Sequence, residues 1–309
     1  MNKLNANHEP ADCPLCENKE CNFLFYVCDS QDANNKSIWN AVQCTNCKIL
    51  FLNPWQITDK WIETIKKSNL YLSSTAYIKN ALKRINKYHA GKILDIGCGH
   101  GEFLFQAKKL GWNVAGVELF PNANPHNIPI RYGFFENMDL PKKYFDIVTF
   151  WGVTEYLREP LKFFEKAKTV LKDDGHIIFV ASNYRSIQRA IMQVHNFPRQ
   201  QFIWSKSAFE FLFNKVGLEI TSCDYKNDIR NGWCTEFLTF LFKQIILQKS
   251  RHQILREHNS GIKEKNLIIL LVKAVDRIIT MPLSIILSFL GFNGVMNITA
   301  KKTLLKCAE

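Results

Sequence analysis

The chain of 309 residues is poor in the residues that break regular structure, with only 14 glycines and 10 prolines. This composition excludes collagen-like and linker-dominated proteins. Hydrophobic residues make up 47% of the chain, which excludes a disordered protein because that much apolar surface can offset the entropy lost on ordering. Residues 1–8 contain no apolar run, so no signal peptide is predicted there. We therefore expect a cytoplasmic protein whose thiols stay reduced.

Positively charged residues outnumber negatively charged ones in this chain. Lys and Arg number 40 and Asp and Glu number 28, which gives a formal net charge of +12. A basic balance favours anionic partners, namely nucleic acid, anionic lipid or phosphorylated substrates, and does not choose among them. The length suggests about two domains.

The character of the sequence changes along the chain, and five segments are expected. We predict a zinc-ribbon module at 1–55, a helical linker or lid at 56–90, an α/β core at 91–228, a basic apolar helical insertion at 229–292 and a final core strand at 293–309. Strands alternate with amphipathic helices in the core segment. That alternation predicts a mostly parallel sheet with helices on both faces.

A glycine-rich turn lies between the first strand and the first helix of the core. It consists of Asp95 followed by three glycines at alternate positions, Gly97, Gly99 and Gly101. Such a turn lets a backbone approach a ligand closely and places helix N–H groups near an anion. Position 102 is Glu, so the turn matches neither a dinucleotide fingerprint nor a phosphate-binding P-loop. Glu118 ends the next strand, where a carboxylate can accept both ribose hydroxyls.

These motifs resemble the class I S-adenosylmethionine-dependent methyltransferases over roughly residues 91–225. The runs at 145–155 and 171–176 contribute to the likeness. The resemblance implies a Rossmann-like seven-stranded sheet and S-adenosylmethionine as cofactor. It also implies the cofactor-binding residues, which are Asp95, Gly97, Gly99, Gly101, Glu118, Phe135 and Trp151.

Two C-x-x-C pairs precede the core. They place four thiols at Cys13, Cys16, Cys44 and Cys47, with apolar strand-like runs between the pairs. Four thiolates complete a closed tetrahedral site for Zn²⁺, which is a structural arrangement without an open position. The sequence therefore predicts a zinc ribbon. A module this small depends on its metal to fold.

The run at 47–54 leads from the second cysteine pair to Leu-Asn-Pro. This run points to a smaller group within the methyltransferases. It is similar to methyltransferases of bacterial cell-surface sugar and lipopolysaccharide biosynthesis. The likeness implies a small-molecule sugar or lipid-linked glycan acceptor. It also implies that Tyr71, Tyr77 and Tyr156 contact the substrate.

A hydroxyl acceptor requires proton removal. The family places a Glu-His pair after the fourth strand, whereas this chain has Glu155 followed by Tyr156. A second family histidine, in a Pro-x-His stretch, is replaced by Gln200. Glu155 is therefore the predicted base and His195 the second choice. A base-independent acceptor and a loss of activity remain open.

The C-terminal part combines apolar runs with basic residues. Residues 226–309 hold 13 Lys and Arg against 6 Asp and Glu. Apolar stripes flanked by cations predict peripheral contact of 235–292 with the inner face of the membrane, while a soluble helical cap or a dimer interface is the alternative. An RNA methyltransferase and a non-catalytic cofactor-binding scaffold are the alternative functions. Nucleic acid is disfavoured because the ribbon shows no dense basic patch with interleaved aromatics.

Overall fold

The computed structural model describes residues 12–28, 38–53, 59–67, 75–187, 197, 200–227, 237–249, 254 and 266–303. The strands are β1 Cys21–Cys28, β2 Ile38–Cys44, β3 Leu50–Asn53, β4 Lys92–Ile96, β5 Asn113–Glu118, β6 Ile130–Tyr132, β7 Phe145–Trp151, β8 Leu171–Ser182, β9 Phe202–Ile203, β10 Leu218–Asp224 and β11 Val295–Lys302. The helices are α1 Asp59–Lys67, α2 Thr75–Ile85, α3 Glu102–Lys109, α4 Pro160–Val170, α5 Lys206–Val216, α6 Phe237–Ile245 and α7 Leu267–Leu290.

The larger sheet has seven strands in the order β10-β11-β8-β7-β4-β5-β6. The strands from β8 to β6 pair in parallel, and β11 pairs antiparallel with both β8 and β10. The expected seven-stranded, mostly parallel Rossmann-like sheet is therefore confirmed, including the late strand that enters after the helical insertion. In this order the first strand β4 is central, so the chain turns to opposite sides of it and leaves a crevice at the strand ends.

Helices cover both faces of this sheet because its central strands are apolar on both sides. One face packs against α4 and α5 through a phenylalanine-rich core, in which the Phe150 and Phe179 rings stack at 4.5 Å. The other face packs against α2 and α3, and Ile85 and Leu104 are fully buried there.

The smaller sheet is formed by the N-terminal module and one strand from the core. Its order is β1-β2-β3-β9, and β9 adds to β3 through the pairs Leu50 with Ile203 and Phe51 with Phe202. Phe51 and the neighbouring apolar side chains of the module belong to the same buried cluster as α4 and α5. The module is thus joined to the core by both backbone hydrogen bonds and side-chain packing.

Three local features of the fold concern the loop after β5, the start of β8 and the length of α7. The loop between β5 and β6 contains three prolines and no helix, because proline restricts the backbone and lacks an N–H donor. Strand β8 begins at Leu171, which pairs with Phe145 of β7. Helix α7 runs through Pro282 as one helix of 24 residues. No helix in the described ranges is both long enough and apolar enough to cross a membrane.

Candidate cofactor site and cysteine cluster

A cavity of about 210 Å³ lies at the carboxyl ends of the adjacent parallel strands β4, β5 and β7. Ligand sites in open α/β sheets form at this position because the loops diverge there. The residues predicted to bind cofactor meet in its wall, with the exception of Gly101, which begins the helix behind the turn. The lining includes Asp95, Gly97, Gly99, Glu118, Phe135 and Trp151.

The glycine turn is held against the end of β5. The backbone N–H groups of Gly97 and Cys98 both donate to the carbonyl oxygen of Val117, at 2.7 and 3.2 Å. Gly97 has a φ of +73°, and a Cβ atom there would lie 2.6 Å from Val153 Cγ2. A side chain at this position would therefore be strained and would close the space between the turn and Val153.

The carboxylate of Glu118 is fixed at the tip of β5. Its Oε2 accepts the N–H of Gly99 at 2.8 Å, and its Oε1 accepts the N–H of Leu119 at 2.7 Å. Each oxygen keeps lone-pair capacity after these bonds. Glu118 is therefore positioned to accept two neighbouring hydroxyl groups from a ligand in the cavity, which is the geometry that a ribose requires.

Asp95 is almost fully buried at the end of β4. Thr149 Oγ1 donates to Asp95 Oδ1 at 2.7 Å across the parallel pair of strands. Burial raises the pKa of Asp95 to about 8, and the negative charge of Glu118 adds to the rise. A cation in the cavity would relieve this unfavourable environment for the carboxylate.

Aromatic side chains form one wall of the cavity. Trp151 is buried and meets Tyr77 and Phe103 edge to face, with centroids 6.2 and 5.4 Å apart. Trp151 Nε1 has no hydrogen-bond acceptor among the residues that the structure describes. Phe135 is buried in a 3₁₀ turn and meets Phe163 edge to face at 5.2 Å. The orphaned indole donor and the flat apolar walls suit a ligand that carries both a ring and polar groups.

Two of the three tyrosines predicted to contact substrate line the cavity. Tyr77 enters from α2 and Tyr156 from the 3₁₀ turn after β7. Tyr71 lies outside the described residues. Arg158 also lines the cavity and stacks over the Phe134 ring at 4.7 Å.

Glu155 occupies a different environment from the one predicted for a catalytic base. It is fully buried and does not line the cavity. Its Oε1 accepts the backbone N–H of Ser182 at 2.6 Å and also the Ser182 hydroxyl, while Thr154 Oγ1 donates to Oε2 at 3.1 Å. These bonds tie the loop after β7 to the end of β8, so the contacts support a structural role and not proton removal from an acceptor. His195 lies outside the described residues.

Sequence reasoning missed two polar residues of the site. Thr149 lies in a strand and belongs to no motif, yet the alignment of β4 with β7 places it opposite Asp95. Glu136 lines the cavity, and burial raises its pKa. The parallel pairing of adjacent strand ends could have indicated Thr149, while no local pattern marks Glu136.

The four predicted zinc ligands meet at one point. The Sγ atoms of Cys13, Cys16, Cys44 and Cys47 all lie within 4.8 Å of one another. The distance is 3.6 Å between the Cys13 and Cys47 sulfurs and 3.4 Å between the Cys16 and Cys44 sulfurs. Zn–S bonds of about 2.3 Å in a tetrahedron separate the sulfurs by about 3.8 Å. The cluster is therefore consistent with a zinc site, and a four-sulfur donor set suits a structural metal.

A comparison with family models matches residues 70–223 to the model described as a methyltransferase domain, which is just under half of the chain. A candidate methyltransferase of Geobacillus sp. (strain WCH70) is 30% identical over 163 residues. That alignment covers 47% of this chain and 65% of the relative, slightly less than two thirds. The ubiquinone biosynthesis O-methyltransferase of Actinobacillus pleuropneumoniae serotype 7 (strain AP76) is 27% identical, with coverage of 47% of this chain and 68% of the relative.

Solved structures share the fold at low identity. A Haloferax volcanii structure, described as a complex of the Trm112 methyltransferase activator and a candidate methyltransferase, has a TM-score of 0.50 and 13% identity. It covers 81% of this chain and 100% of that chain. The fold is therefore that of a Rossmann-like methyltransferase. The matched family model and both curated relatives are described as methyltransferases.

Proposed function

We propose that the protein binds S-adenosylmethionine in the cavity and transfers its methyl group to a sugar or glycan acceptor. The observation that carries the proposal is the glycine turn bonded to the Glu118 carboxylate at the end of the neighbouring strand. In the bound state Glu118 would hold the ribose, Phe135 would pack against the adenine, and Asp95 with Gly97 and Gly99 would surround the methionine part, while Gly101 would begin α3 behind the turn. Trp151 would close the wall beside them.

The cofactor would supply an activated methyl group on a sulfonium, so the chain's own task is alignment and exclusion of water. The buried aromatic wall of Tyr77, Phe103 and Trp151 excludes water from one side of the cavity. Tyr156 and Arg158, from the loop after β7, would orient the acceptor. Glu155 is not the proton acceptor in this proposal, because Ser182 and Thr154 already donate hydrogen bonds to its carboxylate.

Calorimetry with S-adenosylmethionine tests the cofactor assignment. We expect binding by the wild type and a loss of at least about tenfold in affinity for Glu118→Gln, because one charged hydrogen bond is worth about 1.5–3 kcal/mol. Glu219→Gln is a matched control, since Glu219, on β10, forms a partly exposed ion pair with Lys301 on β11. Equal affinity of the Glu118 variant and the wild type would refute the placement of the ribose.

The acceptor is tested separately with radiolabelled cofactor. We expect label to transfer to a nucleotide sugar or a glycolipid and not to RNA. A ubiquinone precursor is the second candidate, because the name of the Actinobacillus relative places that protein in ubiquinone biosynthesis as an O-methyltransferase. Label on the quinone precursor alone would replace the glycan assignment, and cofactor binding without any transfer would support the scaffold alternative.

We also propose that Cys13, Cys16, Cys44 and Cys47 bind one structural Zn²⁺. The support is the mutual approach of the four sulfurs beside a small antiparallel sheet, with Cys13, Cys44 and Cys47 buried and Cys16 half-buried. Asn18 Nδ2 donates to Cys44 Sγ at 3.7 Å, which would help to stabilise a thiolate. Elemental analysis of purified protein should find one zinc per chain, and a metal-free protein with an unchanged fold would contradict the proposal.

A further inference from the structure

Helix α7 buries only a narrow stripe of its surface. The buried positions are Ile269, Asp276, Thr280 and Leu287, which share one side of a helix because their spacings are seven, four and seven. Large apolar side chains cover much of the remainder. The exposed ones are Leu267, Ile268, Leu270, Leu271, Val275, Ile278, Ile279, Met281, Leu283, Ile285, Ile286, Phe289 and Leu290.

The apolar surface extends around most of the helix. With about 100° per residue, the exposed apolar positions span an arc of about 220°, from Leu270 at one border to Leu283 at the other. A helix that packs on one protein surface needs an apolar stripe of roughly 100°. An arc twice as wide fits a surrounding apolar medium better than a single flat partner. Ile278 and Phe289 on this arc are 74% and 88% exposed.

Charge is confined to one border of this surface. The sequence of α7 contains three charged residues, and residues 278–290 contain none. Asp276 is buried and accepts the backbone N–H of Thr239 at 2.7 Å, which fixes α7 to α6. Lys273 and Arg277 lie between the buried stripe and the apolar arc, and Arg277 is exposed. Cations at the border of an apolar surface complement anionic lipid headgroups.

The position of α7 relates this surface to the cavity. The helix ends at Leu290 and is capped by Gly291, and β11 begins opposite Ser182, at the carboxyl end of β8. Asn183 fixes the connection, because its Nδ2 donates to the carbonyl oxygens of Gly291 and Asn293 at 2.9 and 2.7 Å. The carboxyl ends of the parallel strands also carry the cavity. The apolar helix therefore leaves the sheet at the same end as the candidate site.

We propose that α7 is an interfacial helix that docks on the surface of an anionic lipid bilayer, with its apolar arc in the headgroup and acyl boundary. Docking would bring the cavity end of the sheet to the lipid surface, so the acceptor would be a molecule held there by a lipid anchor. The statement about the acceptor rests on the proposed function, whereas the docking itself does not.

Vesicle sedimentation tests the docking. The full chain is mixed with vesicles of phosphatidylcholine alone or of equal parts phosphatidylcholine and phosphatidylglycerol. We expect sedimentation with the mixed vesicles, and at least about tenfold weaker partitioning for the double variant Ile278→Gln and Phe289→Gln. The control is the double variant Tyr26→Gln and Leu110→Gln, which removes exposed apolar side chains of β1 and of the residue after α3. It should sediment like the wild type.

Two results would overturn the docking proposal. A wild type that stays in the supernatant with both vesicle types overturns the docking. So does self-association without lipid that the α7 variant abolishes, because a second copy of the chain would then cover the arc. S-adenosylmethionine affinity is measured on the same preparations. A protein that binds the cofactor and not the vesicles refutes this inference alone, and one that binds vesicles and not the cofactor refutes the proposed function alone.

Discussion

The protonation of Asp95 yields the sharpest test of how the cavity treats a cationic ligand. With a pKa of about 8, Asp95 is about nine-tenths protonated at pH 7. The cause is burial, to which the Glu118 charge adds, and the bond from Thr149 only partly offsets it. S-adenosylmethionine carries positive charge on its sulfonium and its amino group. Binding should therefore lower the pKa of Asp95 and release its proton.

Two opposing energies decide whether Asp95 loses its proton when the cofactor binds. Removing the proton from Asp95 at pH 7 costs about 1.4 kcal/mol, because its pKa lies about one unit higher. A unit positive charge at about 5 Å returns about 3 kcal/mol at an effective dielectric constant near 20. The attraction exceeds the cost, so we expect a release of about 0.9 proton per cofactor at pH 7. The affinity should rise by up to about tenfold per pH unit below pH 8 and level off above it.

Calorimetry in two buffers of different ionisation enthalpy measures the released protons. Asp95→Asn should release almost none, while Glu136→Gln should release as many as the wild type, although Glu136 is another carboxyl of the same cavity whose pKa burial raises. S-adenosylhomocysteine, which lacks the sulfonium charge, should release fewer protons. Identical heats in both buffers for the wild type, or an unchanged release from Asp95→Asn, would refute this account of the cavity.

Other variants test the remaining parts of the structure. Cys44→Ser should eliminate bound zinc and lower the melting temperature of the whole chain; an unchanged melting curve would separate the cluster from the core. Gly97→Ala should cost about 1–2 kcal/mol of stability in urea unfolding, because its φ is +73° and its Cβ would meet Val153; the added change Val153→Ala should restore part of that loss, and no restoration would exclude the contact. Trp204→Phe should cost about 1–3 kcal/mol, because Trp204 Nε1 donates to the Thr154 carbonyl oxygen at 2.9 Å; an unchanged urea midpoint would show that this bond contributes nothing.

The pH dependence of stability provides a further check on Asp95. Its carboxyl ionises near pH 4 in the unfolded chain but keeps its proton to about pH 8 in the folded protein. The folded state therefore binds more protons between these values, and the contribution of this residue to stability decreases as pH rises through that window. Asp95→Asn should flatten this part of the curve of unfolding free energy against pH, and a curve that keeps its slope would contradict the assigned pKa.

Features with a local cause were predictable from the sequence. The alternation of strands and helices, the glycine turn and the acid at the end of the next strand each depend on a short run of residues. The strand ends then converge because parallel strands point the same way, which brings Asp95 and Glu118 to one cavity. The loop between β5 and β6 was also predictable, since proline restricts both itself and the preceding residue.

Features that depend on distant partners were not predictable. Strand β9 contains only two residues and exists because β3 pairs with it across about 150 positions of sequence. Glu155 follows a strand, at the position that the resemblance implies for a catalytic residue. Its carboxylate is instead buried and accepts hydrogen bonds from Ser182, 27 residues later. Helix α7 continues through Pro282, although proline removes one N–H donor from the helix. No local pattern distinguishes these outcomes from the expected ones.

The segment 200–205 connects strand β3 of the N-terminal module to the loop after β7 through two backbone hydrogen bonds. The N–H of Leu52, in β3, donates to the carbonyl oxygen of Gln201 at 3.3 Å, and the N–H of Gln201 donates to the carbonyl oxygen of Glu155 at 2.8 Å. The Glu155 side chain in turn accepts a hydrogen bond from the backbone N–H of Ser182. Tyr156, the residue after Glu155, lines the cavity. The burial of Glu155 therefore has a structural explanation: its backbone and side chain join the N-terminal module, the end of β8 and the loop that faces the acceptor.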